Sequence, residues 1–89
     1  MVVVRRLIWD PWNVAHIARH GVMPEEVEDV CRRDPIVERG YGGRLRLIGM
    51  TGGGRALAAI LAPQGRGIFY PVTARPASVK ERRLLAQER

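Results

Sequence analysis

The sequence predicts a small α+β domain in the order β-α-α-β-β-β-β-α, with an antiparallel sheet packed against helices. Three observations predict it. The 89 residues match the size of one domain and hold no repeat, linker or low-complexity run, so residues 1–89 read as a single unit. Two segments in the first half carry helix start and stop signals. From Ile36 onward the periodicity switches to two, broken by glycine-rich turns, which is the pattern of successive hairpins.

Val2 to Ile8 is rich in β-branched residues and reads as a first strand. Asp10-Pro11 then supplies a carboxylate cap and a proline at the first helical position. That helix runs to about His20, where Gly21 can take the left-handed conformation that closes it. Trp12, Ala15 and Arg19 lie on one side of it and Val14, Ile17 and Ala18 on the other. A second helix begins at Pro24, with Glu25 and Glu26 in its first turn and Arg32 and Arg33 in its last, matching the helix dipole. Val27, Val30 and Cys31 form its apolar stripe, and Asp34-Pro35 ends it.

Ile36 to Arg39 is a short strand, and Gly40-Tyr41-Gly42-Gly43 turns the chain. In the next strand Arg44 and Arg46 share one face, and Leu45 and Leu47 the other. Gly52-Gly53-Gly54 is a hairpin turn, and the apolar run from Arg55 to Ala62 suits a central strand. After a turn at Pro63 to Gly67, the last strand covers Gly67 to Ala74. Pro71 has no N–H for a ladder, so that strand lies at an edge or is bulged there. Ser78-Val79-Lys80-Glu81 is a capping box that opens a C-terminal helix.

Composition narrows the function. The formal charge is +6, and of the 15 basic residues only Lys80 is a lysine. Arginine keeps its charge and grips phosphate with a flat fork of donors, so the balance points to nucleic acid or an acidic protein partner. Cys31 is the single cysteine, which excludes an internal disulfide and a cysteine-based zinc site and fits a reducing, cytoplasmic compartment. Met1 to Val4 meets Arg5-Arg6 before any long apolar run, so no signal peptide is expected. No stretch reaches the ~20 apolar residues of a membrane span.

The triple glycine is followed by neither Gly-Lys-Ser/Thr nor a helix, which argues for a hairpin over a phosphate loop. His16 and His20 are spaced i, i+4 but lack the glutamate of a zinc motif, so no metal or cofactor is expected. His20 also suits a helix end. The arginines carry more information. Arg44 and Arg46 leave one sheet face, Arg55 begins the neighbouring strand, Arg75 ends the last one, and Lys80, Arg82 and Arg83 lie on the final helix. Hairpin pairing can bring several of them to one side, where they would bind an RNA backbone and stabilise a phosphoryl transition state. The alternative is ordinary surface charge. Glu81 is explained by the capping box, and beside Arg75 it is also a candidate base. Tyr70 can stack on a base, donate a proton or simply pack.

Several segments in order resemble the BrnT family of bacterial toxins. They are Trp9-Asp10-Pro11, His20-Gly21-Val22 with Glu25-Glu26, Arg44, Ile48-Gly49, Gly54-Arg55, Thr73 to Ala77, and Glu81-Arg82. The resemblance implies a RelE-like fold and a type II toxin that cleaves RNA without a metal, by attack of the 2′-hydroxyl on the adjacent phosphate. It implies a tightly bound, DNA-binding BrnA-like antitoxin, through which the complex meets operator DNA. Arg55, Arg75, Glu81 and His20 are the implied catalytic set, and Arg44, Arg46, Lys80 and Arg82 would track RNA. The chain departs from the family pattern at His16, Gly43, Tyr70 and Leu85. The departures at Gly43 and Leu85, where the family has a glutamate and a tyrosine, motivate a second reading, a non-catalytic module that keeps the fold, binds the antitoxin and serves in operon autorepression.

Overall fold

In the computed structural model, which describes residues 4–88, Asp10 opens the first helix as its sequence requires. The Asp10 carboxylate accepts from the Asn13 N–H at 3.0 Å, and the Asn13 side chain accepts from the Asp10 N–H at 2.9 Å. This reciprocal box satisfies two donors that a helix start leaves orphaned. The helix, α1, spans Pro11–Ala18 and buries Asn13 and Ile17. Trp12, next to the proline that fixes the helix start, is 82% exposed. The second helix, α2, spans Pro24–Arg32 and buries Val27 and Val30. Its Glu26 carboxylate accepts from the Met23 N–H at 3.0 Å.

Five strands form one sheet: β1 (Arg6–Leu7), β2 (Ile36–Arg39), β3 (Leu45–Met50), β4 (Ala56–Gly65) and β5 (Ile68–Pro76). Their spatial order is β1-β5-β4-β3-β2, so β2 to β5 form the expected antiparallel meander with β4 at the centre. The first strand refines the expectation of an antiparallel sheet. It pairs parallel with β5, matching Arg6 to Ile68 and Leu7 to Phe69, and the sheet is therefore mixed. Of the strand expected over Val2 to Ile8, residues 2 and 3 lie outside the described residues; the rest pairs only at Arg6 and Leu7.

Alternation along the strands sorts the side chains. Leu45, Leu47, Leu57, Ala59, Leu61 and Ala74 turn toward Ile17, Val22, Val27 and Val30 and form the core with them. Gly49 passes so close beneath α2 that a Cβ there would meet Val30 Cγ1 at 2.8 Å. The third helix, α3 (Val79–Gln87), packs on the opposite face against β3. Pro71 sits where the sequence analysis requires. The β4–β5 register jumps from Ile60↔Thr73 to Leu61↔Pro71, a bulge, and β1 covers only the first two residues of the outer side of β5.

The glycine hairpin is pinned to α2. Gly54 takes a φ of 89° and its N–H donates to the Thr51 carbonyl, while the Gly52 N–H donates to Asp29 Oδ2 at 2.6 Å. That amide, with Arg33 beside it, holds the Asp29 carboxyl below its ordinary range. Cys31 lies half-buried against the core, and burial together with nearby Glu28 pushes its thiol up to about 11.

Candidate functional site

The α3 face of the sheet gathers the most concentrated set of charges. Ser78 caps α3, its hydroxyl accepting from the Glu81 N–H at 3.1 Å, while Glu81 Oε1 accepts from the Ser78 N–H at 2.8 Å. The same carboxylate takes a two-pronged grip from Arg75, Nη1 to Oε1 at 2.7 Å and Nη2 to Oε2 at 3.0 Å. Arg46 Nη1 reaches Oε2 at 3.1 Å, and its Nε donates to Glu38 Oε1 at 2.6 Å. Glu81 is 3% exposed, whereas the Arg75 side chain remains 44% exposed. Hydrogen bonds from Arg75 bring the Glu81 carboxyl down to about 2; burial opposes this and the Ser78 N–H reinforces it.

A carboxylate held near 2, with both oxygens occupied, is a weak base at neutral pH. Its geometry instead fixes two guanidiniums, one donor of Arg75 still reaching the Pro76 carbonyl at 3.2 Å. Strand spacing gives the scale. Arg75 lies opposite Ala58 and Arg46 opposite Ile60. Two strand spacings across and two residues along β4 place their backbones about 12 Å apart. Glu81 bridges that gap.

Arg55 does not join this group. It leaves the sheet on the Leu57 side, toward the helix pair, and its Nη1 donates to both Glu26 oxygens at 2.9 and 2.7 Å and to the Gly21 carbonyl at 3.0 Å. Arg75, in register with Ala58, leaves on the other face. Of the arginines expected to gather on one side, and of the implied catalytic set, Arg55 is therefore a correction: strand alternation sends it and Arg75 to opposite faces. Arg44, Lys80 and Arg82 are exposed and form no ion pair among the described residues.

His20 lies exposed beyond the end of α1, with its ring 5.5 Å from that of His16 in an edge-on arrangement. His16 Nε2 lies 3.1 Å from Thr73 Oγ1. Thr73 and Arg75 are two apart on β5, so both side chains leave the same side of the strand, their backbones about 7 Å apart. His16 thus reaches β5 at Thr73, two residues before Arg75, and His20 stands against His16. Tyr70 is occupied differently: its hydroxyl donates to both Asp10 oxygens at 3.0 Å, and burial with that bond raises its pKa.

Comparison with solved structures finds a match to the 1.1 Å crystal structure of BrnT, the ribonuclease toxin of Brucella abortus. The two chains are 29% identical, the alignment covers 82% of this chain and 96% of that one, and the TM-score is 0.65. This likeness supports a BrnT-like family for the chain. No protein-family model matches it, and none of the curated proteins does so significantly.

The chain thus brings Arg46, Arg75 and Glu81 into contact, while His16 touches Thr73, two residues along β5 from Arg75, and His20 touches His16. Lys80 and Arg82 lie on the helix that carries Glu81, and Arg55 stands apart. Sequence reasoning missed Thr73 and Glu38. Glu38 was findable, because pairing β2 with β3 as a hairpin puts it opposite Arg46. Thr73 was not, since its partner His16 is 57 residues away with no strand pairing between them. Among the described residues no group of three His, Cys, Asp or Glu is placed to hold a metal, and no helix is long and apolar enough to cross a membrane.

Proposed function

We propose that this chain is the toxin of a bacterial type II toxin–antitoxin system, a cytoplasmic endoribonuclease that cleaves RNA by attack of a 2′-hydroxyl on the adjacent phosphate. The observation that carries this reading is the clamp of Glu81 on Arg75 and Arg46, with His16 held at Thr73 two residues along β5 from Arg75. Its likeness to the Brucella ribonuclease toxin supports it.

Such cleavage needs fixed positive charge where the phosphorane gathers negative charge, one group to take a proton and one to give it. Arg75 supplies the charge. Glu81 is a positioning residue that sets the guanidinium before substrate arrives, so little reorganisation is needed in the transition state. The two imidazoles of His16 and His20, each with a donor and an acceptor nitrogen, take the roles of base and acid. One ring takes the 2′-hydroxyl proton as the 2′-oxygen–phosphorus bond forms. The other, protonated, gives its proton to the departing 5′-oxygen as the phosphorus–oxygen bond breaks. The products are a 2′,3′-cyclic phosphate and a 5′-hydroxyl, and no step uses a metal. Arg44, Arg46, Lys80 and Arg82 hold the flanking phosphates. Arg55 ties the hairpin to α2 and has an indirect role.

The partner in this reading is a DNA-binding, BrnA-like antitoxin whose acidic segment covers the arginine face, adding burial to a small domain and linking the complex to operator DNA. The test is incubation of purified protein with RNA in EDTA, with and without translating ribosomes, followed by end-group analysis. Cyclic-phosphate and 5′-hydroxyl ends are expected. Absence of any product in both settings, with antitoxin binding intact, would instead establish the non-catalytic module.

A further inference from the structure

Beyond Arg46 the same sheet face continues into a groove of about 520 Å³ whose lining includes Tyr41, Arg44, Arg46 and Ile60. Its outer wall is a short 3₁₀ turn, Tyr41–Gly43, between β2 and β3. The turn is built to hold its shape. The Gly40 N–H donates to the Arg44 carbonyl at 2.7 Å, and the Arg44 N–H to the Tyr41 carbonyl at 3.2 Å. Gly42 and Gly43 take φ values of 68° and 79°, which a residue with a side chain rarely adopts.

The consequence falls on Tyr41. With glycine on either side, no neighbouring side chain covers its ring, which is 96% exposed. Its hydroxyl has no partner among the described residues. Folding normally buries an aromatic ring or at least covers one of its faces. Here a hydrogen-bonded turn presents the ring to water, next to Arg44, which is exposed and forms no ion pair among the described residues. An aromatic face beside a free guanidinium, in a groove that leads away from a phosphate clamp, is the combination that binds unpaired nucleobases.

The spacing fits one strand of RNA. Arg44 lies two residues from Arg46 on β3, about 7 Å further along the sheet. A strand held at Arg75 therefore passes Arg46 and Arg44 and reaches Tyr41 within a few nucleotides. We propose that Tyr41, with Arg44, forms a subsite that stacks an unpaired base of the RNA a few nucleotides from the cleaved bond. This rests on the ribonuclease reading and extends it to substrate class: single-stranded RNA in preference to duplex. In a duplex the bases are already stacked on their neighbours and the Tyr41 ring has no free face to meet.

The test uses a fluorescent 2′-O-methyl oligonucleotide, which lacks the attacking hydroxyl, as a single strand and as a duplex. Tyr41→Ala is expected to weaken single-strand binding roughly 10-fold, to leave duplex binding unchanged, and to keep the slope of affinity against salt. Tyr41→Phe should bind as wild type, because the ring and not the hydroxyl does the stacking. Arg44→Ala should lower the salt slope by about one unit. Wild-type affinity in Tyr41→Ala, or equal losses on single strand and duplex, would overturn the subsite. If wild type cleaves RNA and Tyr41→Ala cleaves with the same KM and the same site preference, the subsite fails alone. If wild type neither binds nor cleaves RNA, both readings fail together.

Discussion

Replacing Glu81 with glutamine removes a negative charge from between two guanidiniums while leaving an oxygen that can still accept from the Ser78 N–H. In the folded protein the Glu81 carboxyl falls from 4.5 to about 2. A folded-state pKa below the unfolded one contributes stability that is fully present above the unfolded value and is lost as pH falls through the folded one. The window is therefore about pH 4.5 down to 2. A fall of that size corresponds to at most about 3–4 kcal/mol. The Arg75 and Arg46 side chains stay 44% and 37% exposed, and solvent screening there reduces the contribution to about 1–2 kcal/mol. With a urea slope of about 1 kcal/mol per molar for a small domain, Glu81→Gln should unfold about 1–2 M earlier at pH 7. Urea unfolding of both proteins at pH 7, 5 and 3 checks this. The gap between them should narrow as pH drops toward 3. No gap at pH 7, or a gap that stays constant down to pH 3, would refute the assignment of Glu81 as an ionised clamp.

Other outcomes follow from the same geometry. Asn13→Ala removes the amide that accepts from the Asp10 N–H and donates to the Ile8 carbonyl, and should cost about 1–2 kcal/mol in a thermal or urea melt; an unchanged midpoint would contradict the cap. Arg55→Ala frees Glu26 and the Gly21 carbonyl, so amide exchange at Gly52 to Gly54 should quicken, and unchanged protection would argue against the tie. Cys31, half-buried with its thiol pushed up to about 11, should react slowly with a disulfide reagent at pH 7 in the folded protein and quickly in denaturant; equal rates would show an open thiol.

Local signals made most of the fold legible. Asp10-Pro11, Pro24, Asp34-Pro35 and the Ser78–Glu81 box set the helix ends, and the alternation from Leu45 to Leu47 marked the faces of β3. Pro71 announced its bulge because a residue with no N–H cannot fill a ladder position. The parallel pairing of β1 with β5 was illegible, since the partners lie some 60 residues apart and nothing local specifies register. The site divided in the same way. Arg75 and Glu81 were readable together because one strand end and one helix start adjoin in sequence. The opposite exit of Arg55 was hidden, because the run it begins is apolar on both faces and alternation gives no marker there. The sequence explains Glu81 as a helix cap and leaves it a candidate base; that arginines occupy both its oxygens is visible only in the fold.

The proposed ribonuclease function rests on Arg75, fixed by Glu81, stabilising phosphoryl transfer. Its most direct test is single-turnover cleavage of a labelled RNA in EDTA by wild type and Arg75→Ala, with circular dichroism establishing that the variant is folded. Cyclic-phosphate and 5′-hydroxyl ends are expected from wild type, with a rate at least about 100-fold lower in the variant. A folded Arg75→Ala protein that cleaves at the wild-type rate would contradict it.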